Sequence, residues 1–476
     1  MTRGKIKKGI KGIGLFLALY FLYFLVFGVV IFNFISPKEI DYNYSIDRFF
    51  AEKPGQDLAL LLEDGYQSGA RKLSLIHNAQ STIDFSTYTF LGGDYTQIFI
   101  ASLFQAADRG VKVRIIADGL FYNVLNHSRA ISYGFMAHPN IEFKVYEPFN
   151  FLKPWVVNNR LHDKILIIDD KYAVIGGRNI GDKYVDLGPP EKFALDREVL
   201  LINTDKRNVE NSVIQQFNQY FNLLWESEFA KNPRRSLTAR RENKGREKMT
   251  ELINFAQGKR EVYPEFFAKD LSWLEEGIPT NRVTLIHNPL TRFNKQPQVW
   301  DQLTQLMEWG EERIFAQSPY VIPTRKMRNY LNLEGVNAEI TILTNSLAST
   351  PNLPAFSGYT GYRKKIVDNV QEVYEYHGIG SIHGKTYVFD NRISVIGSFN
   401  LDPRSTFLST ETMVVIDSEE FTNYLMEELE KLVEQSLLVN SDYGYYYPEK
   451  AREVPASKRI KINILRILTY PFRHML

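Results

Sequence analysis

No cysteine occurs in the 476 residues, which excludes disulfides, thiolate nucleophiles and cysteine-ligated metal at once. An excess of charge of one sign is also missing. The 57 basic and 55 acidic residues leave only +2, too little to argue for nucleic acid as a partner. Between Lys11 and Lys38 there is no charged residue at all. Elsewhere the 44% hydrophobic and 24% charged content is that of an ordinary globular chain, so disorder is not the default for its middle.

The uncharged stretch, residues 12–37, is long enough for a bilayer, which takes about 20 apolar residues as helix. It is too long for a signal-peptide core of about 7 to 15 residues, and it ends Phe32-Asn33-Phe34-Ile35-Ser36 without a small-residue cleavage site. It therefore reads as an uncleaved anchor. Arg3, Lys5, Lys7, Lys8 and Lys11 precede it with no acid among them, which predicts a cytoplasmic N-terminus and an extracytoplasmic body.

Two short stretches share one pattern. His162-Asp163-Lys164 is followed by Asp169 and then Gly176-Gly177-Arg178-Asn179; His383-Gly384-Lys385 is followed by Asp390 and then Gly397-Ser398-Phe399-Asn400. One His-x-Lys-x4-Asp is weak evidence, but two copies with the same distal Gly and Asn are strong. In each copy an apolar run, a polar turn and a second apolar run predict a hairpin. Residues two apart on a strand share a face, so each imidazole has an ammonium beside it. That pairing suits a phosphate: the lysine neutralises the anion while the histidine attacks or moves a proton. It does not suit a metal, because the ammonium repels a cation and no H-E-x-x-H spacing occurs. No metal or other cofactor is expected.

The double motif resembles the phospholipase D superfamily, in which two such copies meet across a pseudo-two-fold axis. The stretches Ile83–Tyr88, Ser318–Pro323, Gly358–Arg363 and Asn400–Ser405 look like its bacterial cardiolipin synthase branch. Gly177 departs from the pattern where the second copy has Ser398. The resemblance implies an α/β fold of two pseudo-symmetric lobes, each a mixed sheet flanked by helices. It also implies chemistry through a covalent phosphohistidine, one motif histidine attacking and the other serving as acid and base; His162 is taken as nucleophile and His383 as acid and base, an order that the symmetry of the two copies leaves open. Lys164 and Lys385 would stabilise the phosphoryl oxygens, with Asn179, Asn400 and Ser398 adding hydrogen bonds. Asp196 and Glu411 match acidic positions that orient the histidines. Asp169 and Asp390, at the hairpin turns, are expected to brace structure.

Alternating strands and helices predict an α/β sandwich. The expected organisation is a basic N-terminus (1–11), the anchor (12–37), a first lobe (38–230), a basic linker (231–262), a second lobe (263–447) and a basic amphipathic tail (448–476). A first helix is expected over 56–67, further helices over 72–80, 95–109, 208–228, 327–333 and 419–438, and strands over 82–89, 111–118, 283–288, 313–318 and 339–344. The linker reads either as a solvated segment or as a patch for anionic headgroups, and nucleic acid phosphates would be drawn to it equally. The tail reads as a membrane-surface helix or one docked on its own protein. His77 and His287, in repeated Leu-Ile-His-Asn, lack a lysine partner and are expected away from the chemistry.

The leading expectation is a membrane-anchored phosphatidyltransferase that makes cardiolipin from phospholipids such as phosphatidylglycerol. Alternatives are a phospholipase D that uses water as acceptor, and a phosphodiesterase or exonuclease. The last would need a basic, aromatic-lined groove, and no nucleic acid is expected.

Overall fold

The computed structural model describes residues 3–37, 39, 44–121, 129–233 and 236–476, with the side chains of 3–9 and 333 excepted. Two large sheets carry the fold. Edge to edge, the first runs Ile278–Pro279, Asp57–Leu62, Glu198–Asn203, Tyr172–Gly176, Ile165–Ile168, Thr82–Thr87, Lys112–Asp118, Ile141–Tyr146 and Ala230–Lys231. The second runs Arg282–His287, Thr412–Asp417, Ile393–Gly397, Thr386–Phe389, Arg313–Gln317, Glu339–Asn345, Glu372–Tyr376 and Ser436–Leu438. Apart from Ile278–Pro279 the two orders correspond strand for strand, so the repeat seen in the motifs extends to the whole lobe.

Alternate strand residues serve different cores, as the period of two requires. Leu60, Ile83, Val113 and Leu166 face the helices Gly65–Asn78, Asp94–Asp108 and Ala239–Gly258. Leu61, Ile165, Ala173 and Val199 face the other way, into a core shared with Leu285, Val388, Ile396 and Val414 of the second sheet. The helices Val213–Glu226 and Glu419–Val433 contribute to this shared core, each capped by a serine, Ser212 and Ser418. The lobes are therefore joined by a continuous apolar interior, which fixes the loops at the sheet ends relative to one another.

Both motif hairpins turn at an aspartate in the left-handed region, with φ of 54° at Asp169 and 52° at Asp390. Asp169 accepts N–H bonds from Gln80, Ser81 and Thr82 at 2.7–2.9 Å. Asp390 accepts from Glu311, Glu312 and Arg313 at 2.8–3.2 Å. Each turn is thus tied to the start of the neighbouring strand.

Several expected boundaries are corrected. Residues 56–67 are not a first helix: Asp57–Leu62 is a strand with both faces covered, and the helix begins after the Asp64 cap and runs Gly65–Asn78. The basic segment 231–262 is not a solvated linker. Its helix Ala239–Gly258 packs on Arg129–Ala137, where a Cβ at Gly245 would lie 2.5 Å from the Tyr133 backbone. Leu252, Ala256 and Phe266 join the first core, and Ile278–Pro279 extends the first sheet, so the second lobe begins near Arg282 rather than at 263. Arg234 and Arg235 lie outside the described residues. The last long helix stops at Val433, and Ser436–Leu438 forms an edge strand. The helix expected over 327–333 shrinks to the single turn Arg325–Arg328. His77 lies in a helix and His287 in a strand, so their tetrapeptides are not structural equivalents.

The N-terminal helix is continuous from Arg3 to Phe34, with a π-helical turn at Val26–Val30. The tail helix Ala456–Leu468 docks through Ile462 beside Leu353–Thr360, and Thr469 Oγ1 lies 2.7 Å from Ser357 Oγ. Ile460, Ile464 and Ile467 on its other side remain exposed.

Candidate active site

The two motifs reach one cavity of about 670 Å³, whose wall includes His162, Asn179, His383 and Asn400. Two bridges between the lobes set the geometry. Leu161, which precedes the first motif histidine, pairs in parallel with Thr410, which precedes Glu411. Ile382, which precedes the second, pairs in parallel with Leu195, which precedes Asp196. A shared register then puts each histidine opposite the carboxylate of the other lobe. His162 Nδ1 is 3.0 Å from both Glu411 oxygens, and His383 Nδ1 hydrogen-bonds Asp196 Oδ2. The pairing is crossed: neither histidine uses the acid that follows it in its own half.

A carboxylate on Nδ1 makes that nitrogen the donor and leaves Nε2 as a lone-pair base. The aromatic rings of Tyr88 and Tyr184 stand edge-on to His162 and His383, with centroids 5.2 and 5.4 Å away. Burial, with Lys164 and Lys385 nearby, holds His162 well below the ordinary imidazole range. His383 is lowered to about 3 by burial and by Lys385, with Asp196 opposing. Both are therefore neutral in the free enzyme, and the negative charge of a bound phosphodiester favours protonation.

The two acids differ in charge environment. Burial pushes Glu411 up, against Lys164 and a 2.5 Å hydrogen bond from Ser398 Oγ. Asp196 is also buried, yet Lys385, His383 and Arg178 hold it below the ordinary carboxylate range. An ionised Asp196 favours imidazolium formation at His383, and Glu411 must be ionised, as Lys164 and Ser398 favour, for His162 Nε2 to keep its lone pair.

Ser398, expected to add a hydrogen bond to phosphate, has protein partners in this structure. Its hydroxyl is fully buried and donates to Glu411, while Thr412 N–H donates to it at 3.1 Å, so it does not stand ready for phosphate. Gly177 has the complementary explanation: a Cβ there would lie 2.3 Å from Asp196 Oδ1. One half places glycine beside the shorter acid, and the other places serine beside the longer one.

The structure brings Asn179 and Asn400 together on the cavity wall. The Oδ1 of each is buried without a hydrogen-bond partner, although Asn179 Nδ2 donates to Tyr184 Oη at 2.9 Å. Reversing that amide lets the tyrosine donate, an equivalent assignment of its atoms. Lys164 and Lys385 lie behind their histidines, each donating to its own histidine's carbonyl. Sequence reasoning missed Tyr184, Lys183, Tyr320 and the half-buried Arg404 on the cavity wall. Tyr320 and Arg404 fall within the quoted stretches, but no spacing marked Tyr184.

Burial lowers Lys164 to about 7, against Glu411, and lowers Lys385 to about 8, against Asp196. Cations needed by an anionic substrate thus lose their protons near neutrality. The kcat/KM on a phosphodiester should be highest below pH 7 to 8 and decline as pH rises through that range. The kcat should decline later, because bound phosphate restores the ammonium form. A kcat/KM profile flat from about pH 6 to about pH 10 would contradict this assignment.

Fold and site together define a two-lobed enzyme of phospholipase D type. The family model for the cardiolipin synthase phospholipase D-like domain matches residues 73–225 and 303–433, and the chain belongs to that family. It is 28% identical over 404 residues to cardiolipin synthase C of Escherichia coli, covering 78% of this chain and 83% of that protein. It is 24% identical over 418 residues to the major cardiolipin synthase ClsA of Bacillus subtilis, covering 86% and 74%. An uncharacterized protein of Helicobacter pylori is 29% identical over 460 residues, covering 86% and 87%. Among solved structures, phosphatidylserine synthase of Haemophilus influenzae shares the fold with a TM-score of 0.60 at 14% identity, over 90% of this chain and 97% of that one. The chain is a phospholipid-transferring enzyme of the phospholipase D class.

Proposed function

We propose that this enzyme makes cardiolipin by moving a phosphatidyl group from one phosphatidylglycerol to another. In the first step His383 is protonated as the anionic phosphodiester binds, His162 Nε2 bonds to phosphorus, the phosphorus–oxygen bond to glycerol breaks, and the His383 imidazolium delivers the proton that glycerol takes away. In the second, His383 Nε2 removes the proton from the hydroxyl of an incoming phosphatidylglycerol, whose oxygen bonds to phosphorus as the phosphorus–nitrogen bond breaks. Lys164 and Lys385 supply positive charge from behind the rings, and the Asn179 and Asn400 amides face the phosphoryl oxygens. Asp169 and Asp390 hold the hairpins and take no part in the chemistry.

The observation that carries this reading is the crossed pairing, which sets two histidines, each held by a carboxylate of the other lobe, on one cavity. The Ile10–Phe34 helix supports a membrane location, with its N-terminus in the cytoplasm and the lobes on the other side. Full-length protein in vesicles containing labelled phosphatidylglycerol should yield cardiolipin and glycerol. Phosphatidic acid alone would make water the acceptor, and cleavage of single strands without lipid turnover would make the enzyme a nuclease.

A further inference from the structure

The apolar N-terminal helix is too short, where it stands clear of the lobes, to cross a bilayer by itself. From Ile10 to Leu22 its large side chains are mostly exposed, whereas Gly28 and Phe32 are buried against the body. Contact begins at Tyr20, whose ring stacks on Phe151 at 3.9 Å, and Tyr23 Oη donates to Leu152 O at 2.8 Å. Asn158 Nδ2 then donates to Gly28 O at 2.6 Å, within the π-helical turn. At 1.5 Å per residue, 10–22 reach about 20 Å, while the hydrocarbon layer is about 30 Å thick. About 10 Å of that layer must be filled by the body itself.

The surface beside the helix suits that position. Phe149, Phe151 and Leu152 are exposed in one short loop, Leu152 at 74%. The tail meets the helix on another side, where His474 Nε2 lies 3.3 Å from Val29 O, and Tyr470 nearby is 68% exposed. Arg459, Lys461 and Arg466 accompany the exposed isoleucines of the tail helix, a composition that matches anionic headgroups above an apolar layer. The active-site cavity reaches the same place, because Phe24, Gly28 and Val29 form part of its wall.

We infer that the catalytic body is seated about 10 Å into the adjoining leaflet, so that phospholipid enters the cavity sideways between the helix and the lobes. The headgroup reaches the histidines while the acyl chains stay in hydrocarbon, and no lipid has to be lifted into water. This rests on the membrane-spanning reading of the helix.

The absence of cysteine permits single nitroxide labels on full-length protein. Leu152→Cys and Tyr470→Cys would be labelled in vesicles of phosphatidylcholine and phosphatidylglycerol, beside Phe21→Cys and the surface position Glu251→Cys. Oxygen, which partitions into lipid, should relax the labels at 152, 470 and 21 more than an aqueous nickel chelate does, with the reverse at 251. Water exposure at 152 and 470 with lipid exposure at 21 would overturn the seating alone. Water exposure at all four would overturn the membrane-spanning reading with it. Labels at 152 and 470 shielded from both reagents would mean that protein covers this face, and would also overturn the seating. In a second arm, Leu152→Glu should lower turnover of long-chain phosphatidylglycerol in vesicles about tenfold and leave that of a short-chain, water-soluble analogue unchanged. Equal effects on both substrates would contradict lateral entry.

Discussion

Replacing either motif histidine by alanine is expected to lower lipid turnover by at least about 10⁴-fold while the fold survives. Both rings are partly exposed at the cavity, with 16% and 21% of their side-chain surfaces accessible, so truncation leaves no sealed void in the core. The two variants should fail differently. A phosphodiester whose leaving group departs readily as an anion needs no general acid. With it, His383→Ala should release one equivalent of leaving group per chain and then stall, because nothing activates the incoming hydroxyl. His162→Ala should give no such burst. Stopped-flow absorbance with a nitrophenyl ester separates the two patterns.

The second large effect concerns the carboxylates. Asp196→Asn should lower kcat about 10²- to 10⁴-fold and behave like His383→Ala, and Glu411→Gln should match it in size but behave like His162→Ala. An amide in place of Glu411 can donate to His162 Nδ1. The imidazole then carries its proton on Nε2, where a lone pair is needed for attack. An amide in place of Asp196 does the same to His383, which then cannot take the proton of the incoming alcohol. Assignment by sequence order would predict the opposite pairing of phenotypes. Rapid-quench measurement of covalently bound lipid phosphorus in the two variants checks it.

The site's members were legible in the sequence, but their connections were not. Two copies of His-x-Lys-x4-Asp announced the hairpins, since apolar runs on either side of an aspartate turn have few other structures available. The crossing of Asp196 and Glu411 depends on the Leu161–Thr410 and Ile382–Leu195 bridges, which join parts of the chain about 200 residues or more apart. No local pattern encodes them. Asp57–Leu62 was misread because a strand covered on both faces is a continuous apolar run, without alternation to distinguish it from helix. The 231–262 segment was misread because its charges dominate its composition. Its packing depends on a few small or apolar residues, chiefly Gly245, Leu252 and Ala256. Ser398 looked like a phosphate ligand because its type suits one, while its actual partner, Glu411, lies one strand away.

The account is tested most directly by finding which side chain carries phosphorus when Asp196→Asn is mixed with a radiolabelled phosphatidyl nitrophenyl ester, whose leaving group needs no acid, and quenched in alkali, which preserves a phosphorus–nitrogen bond. The account predicts an acid-labile adduct on the peptide containing His162, and none in Glu411→Gln. Label on His383, or an adduct in Glu411→Gln but not in Asp196→Asn, would contradict it.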